Sequence, residues 1–188
     1  MTKFVHYLNF KMTSKMIRKA TQNDLARVTE IYGKIHDEEH KGRYTIGWNP
    51  DIYPVYATAA DALNRGDLFV YESEDGGILA SAIINKDQLD SYGMAQWTSG
   101  VKDEEVMVLH TLTVDPSAGG KGVGREFVKF YEDYARENGC RSLRLDTQSI
   151  NTVARRFYPK LGYKEVAVVP TTFHGIRNID LVLFEKII

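Results

Sequence analysis

Glycines at 119, 120, 122 and 124 stand in the segment DPSAGGKGVGRE, between ten residues rich in β-branched and apolar side chains (EVMVLHTLTV, 105–114) and a stretch with helical spacing. Glycine lets the backbone turn tightly and approach a ligand with no Cβ in the way. The first turn of the helix that follows offers unpaired N–H groups and a partial positive charge. Strand, glycine loop and helix in this order make a cradle for an anion, most often a phosphate. Spacing separates the phosphate-binding classes. A Walker loop needs Gly-Lys followed by Ser or Thr, but Lys121 is followed by Gly122, which argues against an ATPase. A dinucleotide fingerprint G-x-G-x-x-G begun at Gly122 needs glycine where Phe127 stands, and begun at Gly120 it needs glycine where Arg125 stands.

The elements that must hold this loop are legible from periodicity. Residues 16–20, MIRKA, read as a strand. Thr21 and Asp24 then supply caps for a helix carrying Leu25, Val28, Ile31, Tyr32 and Ile35. The stretch from His36 to Tyr56, with its glycines, prolines and aromatics, reads as a loop or broken helix bordering a ligand. A short helix over 56–65 ends near Gly66. DLFVYES and ILASAIIN, joined through Asp75, Gly76 and Gly77, form a hairpin. EVMVLHTLTV is the natural central strand. Val123, Phe127, Phe130, Tyr131 and Tyr134 mark a long helix stopped at Asn138 and Gly139, followed by the strand SLRLDT. Helical spacing resumes through Ala154, Phe157, Tyr158 and Leu161, and YKEVAVV and NIDLVLFEKII close the chain as strands. The order is mixed α/β without repeats.

Composition narrows the function. The 188 residues suit one domain, with 43% hydrophobic and 26% charged residues. A net charge of -1 offers no field for a polyanion, so nucleic acid is not an expected partner. One cysteine, Cys140, excludes an intrachain disulfide framework and a multi-cysteine zinc site and fits a reducing cytoplasm; no metal is implied. Tyr7, Asn9 and Lys11 interrupt any apolar run of secretory length, and no later run suits a membrane span. Residues 1–15 read as an N-terminal extension and residues 16–188 as the domain.

Three segments in order resemble the GNAT superfamily of N-acetyltransferases. The first is the strand LHTLTVDP. The second is the glycine loop, similar to the family's pyrophosphate loop except that Gly119 stands where Arg or Gln is usual. The third is NTVARRFYPKLGY, with Asn151, Ala154, Phe157, Tyr158, Leu161, Gly162 and Tyr163 at matching spacing. The likeness is closest over 105–167. It implies an α/β (α+β) fold with a mixed, mostly antiparallel sheet of six to seven strands flanked by about four helices, and it leaves room for a homodimer. It also implies acetyl-coenzyme A as cosubstrate. The backbone at Leu112, Thr113 and Val114 would hold the pantetheine arm, the N–H groups of Gly120, Lys121, Gly122, Val123, Gly124 and Arg125 the phosphates, Asn151 the arm again, and Arg155 a phosphate.

The implied chemistry is direct transfer of acetyl to a primary amine. It needs a proton acceptor, an oxyanion stabiliser and a proton for the departing thiolate. The resemblance assigns the stabiliser to a backbone N–H at Leu112 or Val114 and the acid to Tyr158. Pro159 should loosen the helix there. His110 is the leading base, since on a regular strand it shares a face with Leu112 and Val114 and titrates near neutrality; Glu104, Glu105 and Asp146 are its rivals. Tyr44, Trp48, Tyr53, Tyr56, Tyr92 and Trp97, with acids at 37–39 and 51, fall in the segments that the resemblance implies would build the acceptor pocket. They suit a small cationic amine. A peptide acceptor, or a non-catalytic acyl-coenzyme A sensor, are the alternatives.

Overall fold

A computed structural model describes residues 15–173 and 176–188; apart from Lys15, the expected N-terminal extension lies outside them. The elements run β1 (Met16–Lys19), α1 (Leu25–His40), α2 (Tyr56–Arg65), β2 (Leu68–Glu72), β3 (Ile78–Asn85), β4 (Val106–Val114), α3 (Val123–Glu137), β5 (Ser142–Gln148), α4 (Thr152–Phe157), β6 (Lys164–Phe173) and β7 (Ile176–Ile187). The seven strands form one sheet in the order β1-β2-β3-β4-β5-β7-β6. Every pairing is antiparallel except β4 with β5. The mixed, mostly antiparallel sheet and four α-helices match the fold expected from the sequence.

Alternation along the strands divides the side chains between two faces. Phe69, Tyr71, Ala82, Ile84, Met107, Leu109, Val182 and Phe184 meet Phe127, Tyr131 and Ala135 of α3. On the opposite face, Leu68, Val70 and Ile83 pack against Leu25, Val28, Ile31, Tyr32 and Ile35 of α1, all five of them buried as their spacing predicts. The segment between β3 and β4 covers the rest of that face. Tyr92, whose ring is 2% exposed, packs with Val106, Val108, Leu181 and Leu183. Trp97 lies 4.0 Å from the Arg144 guanidinium, and the Glu185 carboxylate accepts hydrogen bonds from Thr98, Ser99 and Ser142. This polar-looking stretch is therefore fastened to the sheet by two aromatics and one buried carboxylate, giving it order that its composition does not suggest.

Candidate active site

Two irregularities in β4 shape the site. The parallel pairing with β5 runs only from Val106↔Ser142 to Leu109↔Leu145, beyond which Asp146, Thr147 and Gln148 pair with β7 alone. The sheet therefore splits, and the backbone of β4 from Thr111 to Val114 has no strand on its β5 side. On the other side, the register with β3 slips between Ser81↔Thr113 and Ile83↔His110, and Thr111 takes a positive φ of 51°. This is a β-bulge, and one extra residue reverses the alternation beyond it. Leu112 and Val114 thus join Met107 and Leu109 on the α3 face. His110 lies on the other face with Val106 and Val108, so the shared face expected for His110, Leu112 and Val114 is corrected by the bulge.

The split opens into a cleft of about 620 Å³ running from β4 along the glycine loop to α4. Leu112, Thr113 and Val114 form one wall, and Gly119, Gly120, Gly122, Val123, Gly124 and Arg125 the next. Gly120 (φ 75°) and Gly122 (φ 85°) occupy the left-handed region, where a side chain is disfavoured, and Gly122 is the N-cap of α3. The loop is anchored from behind. Asp115, fully buried, caps the turn over Pro116–Ala118 by accepting from the Ser117 N–H at 2.8 Å, and it pairs with Arg27 and with Lys34 at 3.0 Å, both on α1. Burial would raise its pKa, but the hydrogen bonds from Ser117, Lys34 and Arg27 outweigh this and hold the carboxyl well below its ordinary range.

Tyr158 lines the far side of the cleft. Its α-helix ends at Phe157, and Tyr158–Leu161 continue as a 3-10 turn, the loosening expected from Pro159. The ring packs against Phe184 and Tyr163 and is 8% exposed. Burial, and then the charge of Asp146, raise the phenol pKa well above its usual value, so it stays protonated at neutral pH. Asn151 caps α4, its Oδ1 accepting from the Ala154 N–H at 3.0 Å, and borders the cleft as well.

Asp146 stands at the first position of β5 beyond the split. It lines the cleft and also a smaller hollow of about 80 Å³ walled by Trp48, Tyr53, His110 and Phe173. Its carboxylate accepts from the Tyr92 hydroxyl at 2.8 Å. Burial pushes its pKa up to about 6, and the Tyr92 hydrogen bond offsets only part of that. His110 borders the small hollow with its Nε2 directed at Asn85 Oδ1, 3.0 Å away; the Asn85 amide nitrogen donates to Asp67, which fixes that orientation. Burial lowers the imidazole pKa, with smaller opposing effects from Asp87 and Asp67. His110 is therefore a neutral donor toward Asn85, and Asp146 is the ionisable group shared by the two hollows.

Other expected residues lie elsewhere. Arg155, expected at a phosphate, forms a two-pronged pair with Glu165 of β6 at 3.0 and 3.1 Å, donates to the Ser149 carbonyl, and is not among the residues lining the cleft. Lys121 is exposed and, unlike the glycines on either side of it, does not line the cleft. Glu104 and Glu105 precede the far end of β4, where Glu105 pairs with exposed Arg141. Phe173 carries no sequence signal for its place beside Tyr53, which depends on the length of the β6–β7 hairpin. The pattern that locates Asp146 is likewise weak, an acid five residues into a strand.

The sequence profile of the acetyltransferase (GNAT) family matches residues 29–163. The chain belongs to that family. An uncharacterized N-acetyltransferase of Methanocaldococcus jannaschii is 31% identical over 83 residues, covering 44% of this chain and 37% of that protein. One from Bacillus subtilis is 37% identical over 67 residues, 36% of this chain and 45% of its own. The matches thus span under half the length of these curated relatives. Among solved structures, the Salmonella typhimurium protein yncA, a putative acetyltransferase solved with its cofactor acetyl-CoA, superposes with a TM-score of 0.65 at 24% identity over 93% of this chain and 94% of its own. A Listeria monocytogenes GNAT acetyltransferase gives 0.70 at 16% identity over 93% and 95%. These likenesses are of fold.

Proposed function

We propose that residues 16–188 form an acetyl-coenzyme A-dependent N-acetyltransferase that moves acetyl directly from the thioester to a primary amine, with Asp146 in place of His110 as proton acceptor. The observation that carries this reading is the position of Asp146 at the split of β4 and β5, on the boundary of both hollows, across from Tyr158. The glycine loop, the open backbone edge of β4 and a cleft of about 620 Å³ fit an acyl-coenzyme A.

In this reading Asp146 accepts a proton from the ammonium, and the free amine attacks the thioester carbon. A β4 backbone N–H between Leu112 and Val114 stabilises the oxygen as it gains charge. As the carbon–sulfur bond breaks, the Tyr158 hydroxyl passes its proton to sulfur, and the second amine proton replaces it. The amine gives up two protons in all; one leaves with the coenzyme thiol and the other reaches solvent from Asp146. A single buried, unpaired cysteine supports a cytoplasmic setting, and no helix among the described residues is long and apolar enough to cross a membrane.

Thiol release from acetyl-coenzyme A on adding a primary amine, with the N-acetyl product identified by mass spectrometry, tests the reading. Coenzyme binding by calorimetry without thiol release on any amine would instead identify a non-catalytic sensor.

A further inference from the structure

Two carboxylates on neighbouring strands, Asp146 of β5 and Glu185 of β7, are held by the same segment between β3 and β4, and they are held differently. Glu185, 2% exposed, accepts from the N–H and hydroxyl groups of Thr98 and Ser99 and from the Ser142 hydroxyl, and it lies 3.5 Å from Arg144. Burial would raise its pKa, but the hydrogen bonds from Thr98, Ser99 and Ser142 outweigh this and leave it lowered. A carboxylate saturated in this way is a fixed charge. Asp146 receives one donor, the Tyr92 hydroxyl, on Oδ1 at 2.8 Å. Among the described residues its Oδ2 has no hydrogen-bond partner, and the side chain borders both hollows. One oxygen is tied and the other is left for a ligand.

Tyr92 is itself firmly placed. Its N–H donates to the Leu89 carbonyl at 2.8 Å, and its own carbonyl accepts from the Ala95 N–H at 3.2 Å and from Trp97 Nε1 at 3.0 Å. The Trp97 ring lies 5.3 Å from the Tyr92 ring and is covered in turn by the Arg144 guanidinium. Burial, and then the charge of Asp146, raise the Tyr92 phenol pKa well above its usual value, so the hydroxyl stays protonated and donates. A donor of that kind favours the charged form of its acceptor. The other titratable groups nearby are neutral at pH 7, since burial raises the phenols of Tyr53 and Tyr158 and lowers the His110 imidazole. Arg144, on the same face of β5, is engaged with Glu185, and Arg125 stands at the glycine loop. The hydrogen bond from Tyr92 is therefore what opposes burial at Asp146.

Resting on the assignment of Asp146 as proton acceptor, we propose that Tyr92 is a positioning residue of the transfer reaction: its hydroxyl fixes Oδ1, leaves Oδ2 as the atom that takes the ammonium proton, and favours the ionised carboxyl that can do so.

Tyr92→Phe removes the hydroxyl and keeps the ring. Thiol release from acetyl-coenzyme A is followed from pH 5 to 9 with the fastest acceptor among benzylamine, putrescine, β-alanine and an Ala-led tetrapeptide, the acetyl-coenzyme A KM serving as the control for folding. The acidic limb of kcat should move up by about one to two pH units, the worth of a hydrogen bond to a charged group. At pH 7 that shift lowers kcat by about two- to tenfold, with recovery toward pH 9. In an Asp146→Asn background the same substitution should change kcat by less than about twofold, because no base is left to hold. Urea unfolding gives a second readout: Tyr92→Phe should destabilise more at pH 8 than at pH 4, since the lost bond favours the ionised carboxyl. An unmoved limb in a Tyr92→Phe variant with wild-type coenzyme KM, equal losses of kcat in the two backgrounds, or a destabilisation independent of pH overturns the proposal and leaves Asp146 as base. Wild-type kcat and acidic limb in Asp146→Asn overturn the base assignment and the proposal with it. Coenzyme binding without turnover of any of the four amines overturns the acetyltransferase reading as well.

Discussion

Replacing Asp146 by Asn should separate activity from stability in opposite directions. The amide keeps the shape and an oxygen that can accept from Tyr92, but it cannot take a proton. The wild-type carboxyl has its pKa raised from 3.8 to about 6 by burial. The sign follows from linkage: a raised folded-state pKa favours folding below the unfolded value and loses that contribution as pH climbs through the folded one. At ~1.36 kcal/mol per pH unit, the ionised group costs the folded state about 3 kcal/mol at pH 7. Asp146→Asn should therefore be more stable than wild type by up to that amount at pH 7–8, with the difference fading toward pH 4. Over the same range kcat should fall roughly 10²- to 10⁴-fold, the usual worth of a positioned base, and the acidic limb of the wild-type profile, centred near 6, should disappear. Urea unfolding at pH 4 and pH 8 and thiol release across pH 5–9 measure the two effects. A variant that retains kcat and the acidic limb would refute the assignment of Asp146 as base, and a loss of stability at pH 8 would refute the burial argument.

Tyr158→Phe should lower kcat about 10- to 100-fold with little change in the acetyl-coenzyme A KM, since the ring packing survives and only the proton on oxygen is lost; steady-state kinetics decide this. Gly122→Val places a β-branched residue at φ 85°, a strain of about 1–2 kcal/mol per residue, and should weaken calorimetric coenzyme binding about tenfold while the far-ultraviolet spectrum stays unchanged. Arg155→Ala should leave the coenzyme KM within about twofold of wild type, because its guanidinium is held by Glu165. Asp115→Asn should cost about 2 kcal/mol in denaturant unfolding, less than the ~3–5 of a fully buried pair because Arg27 is 30% exposed, and should also raise the coenzyme KM by loosening the loop.

Where local pattern and tertiary environment agree, the sequence alone was a sound guide, and the site shows where they part. Leu25, Val28, Ile31, Tyr32 and Ile35 announce one helical face because 3.6-residue spacing and burial demand the same positions. The glycine loop is equally local: strand, loop and helix are contiguous, so its cradle needs no distant partner to be recognised. His110 was misplaced because alternation assumes an unbroken strand, whereas Thr111, a β-branched residue that disfavours positive φ, sits at the bulge and gives no warning of it. Arg155 beside Asn151 and Tyr158 suggested a phosphate contact, but the register of β6 on β7 brings Glu165 within reach, and that register is set far along the chain.

On the proposed reading, the same bulge and split account for why the proton acceptor falls at Asp146. A regular β4 paired along its length with β5 would close the sheet and leave no space beside residue 146, a carboxylate that could then neither reach a substrate nor exchange its proton. Ending the pairing at Leu109↔Leu145 frees both backbones at one point, and Thr111 turns β4 so that Leu112 and Val114 face the cleft while His110 faces Asn85. The carboxylate is buried enough for its pKa to approach neutrality, yet borders open space on two sides. The departure from regular strand geometry would therefore supply both the proposed oxyanion-binding backbone and the environment of the proposed base, and restoring the ladder should remove both. Deleting Thr111 is the direct trial: the realigned strand should fold but show neither coenzyme binding nor thiol release, and retention of either would mean that the bulge is incidental to the chemistry.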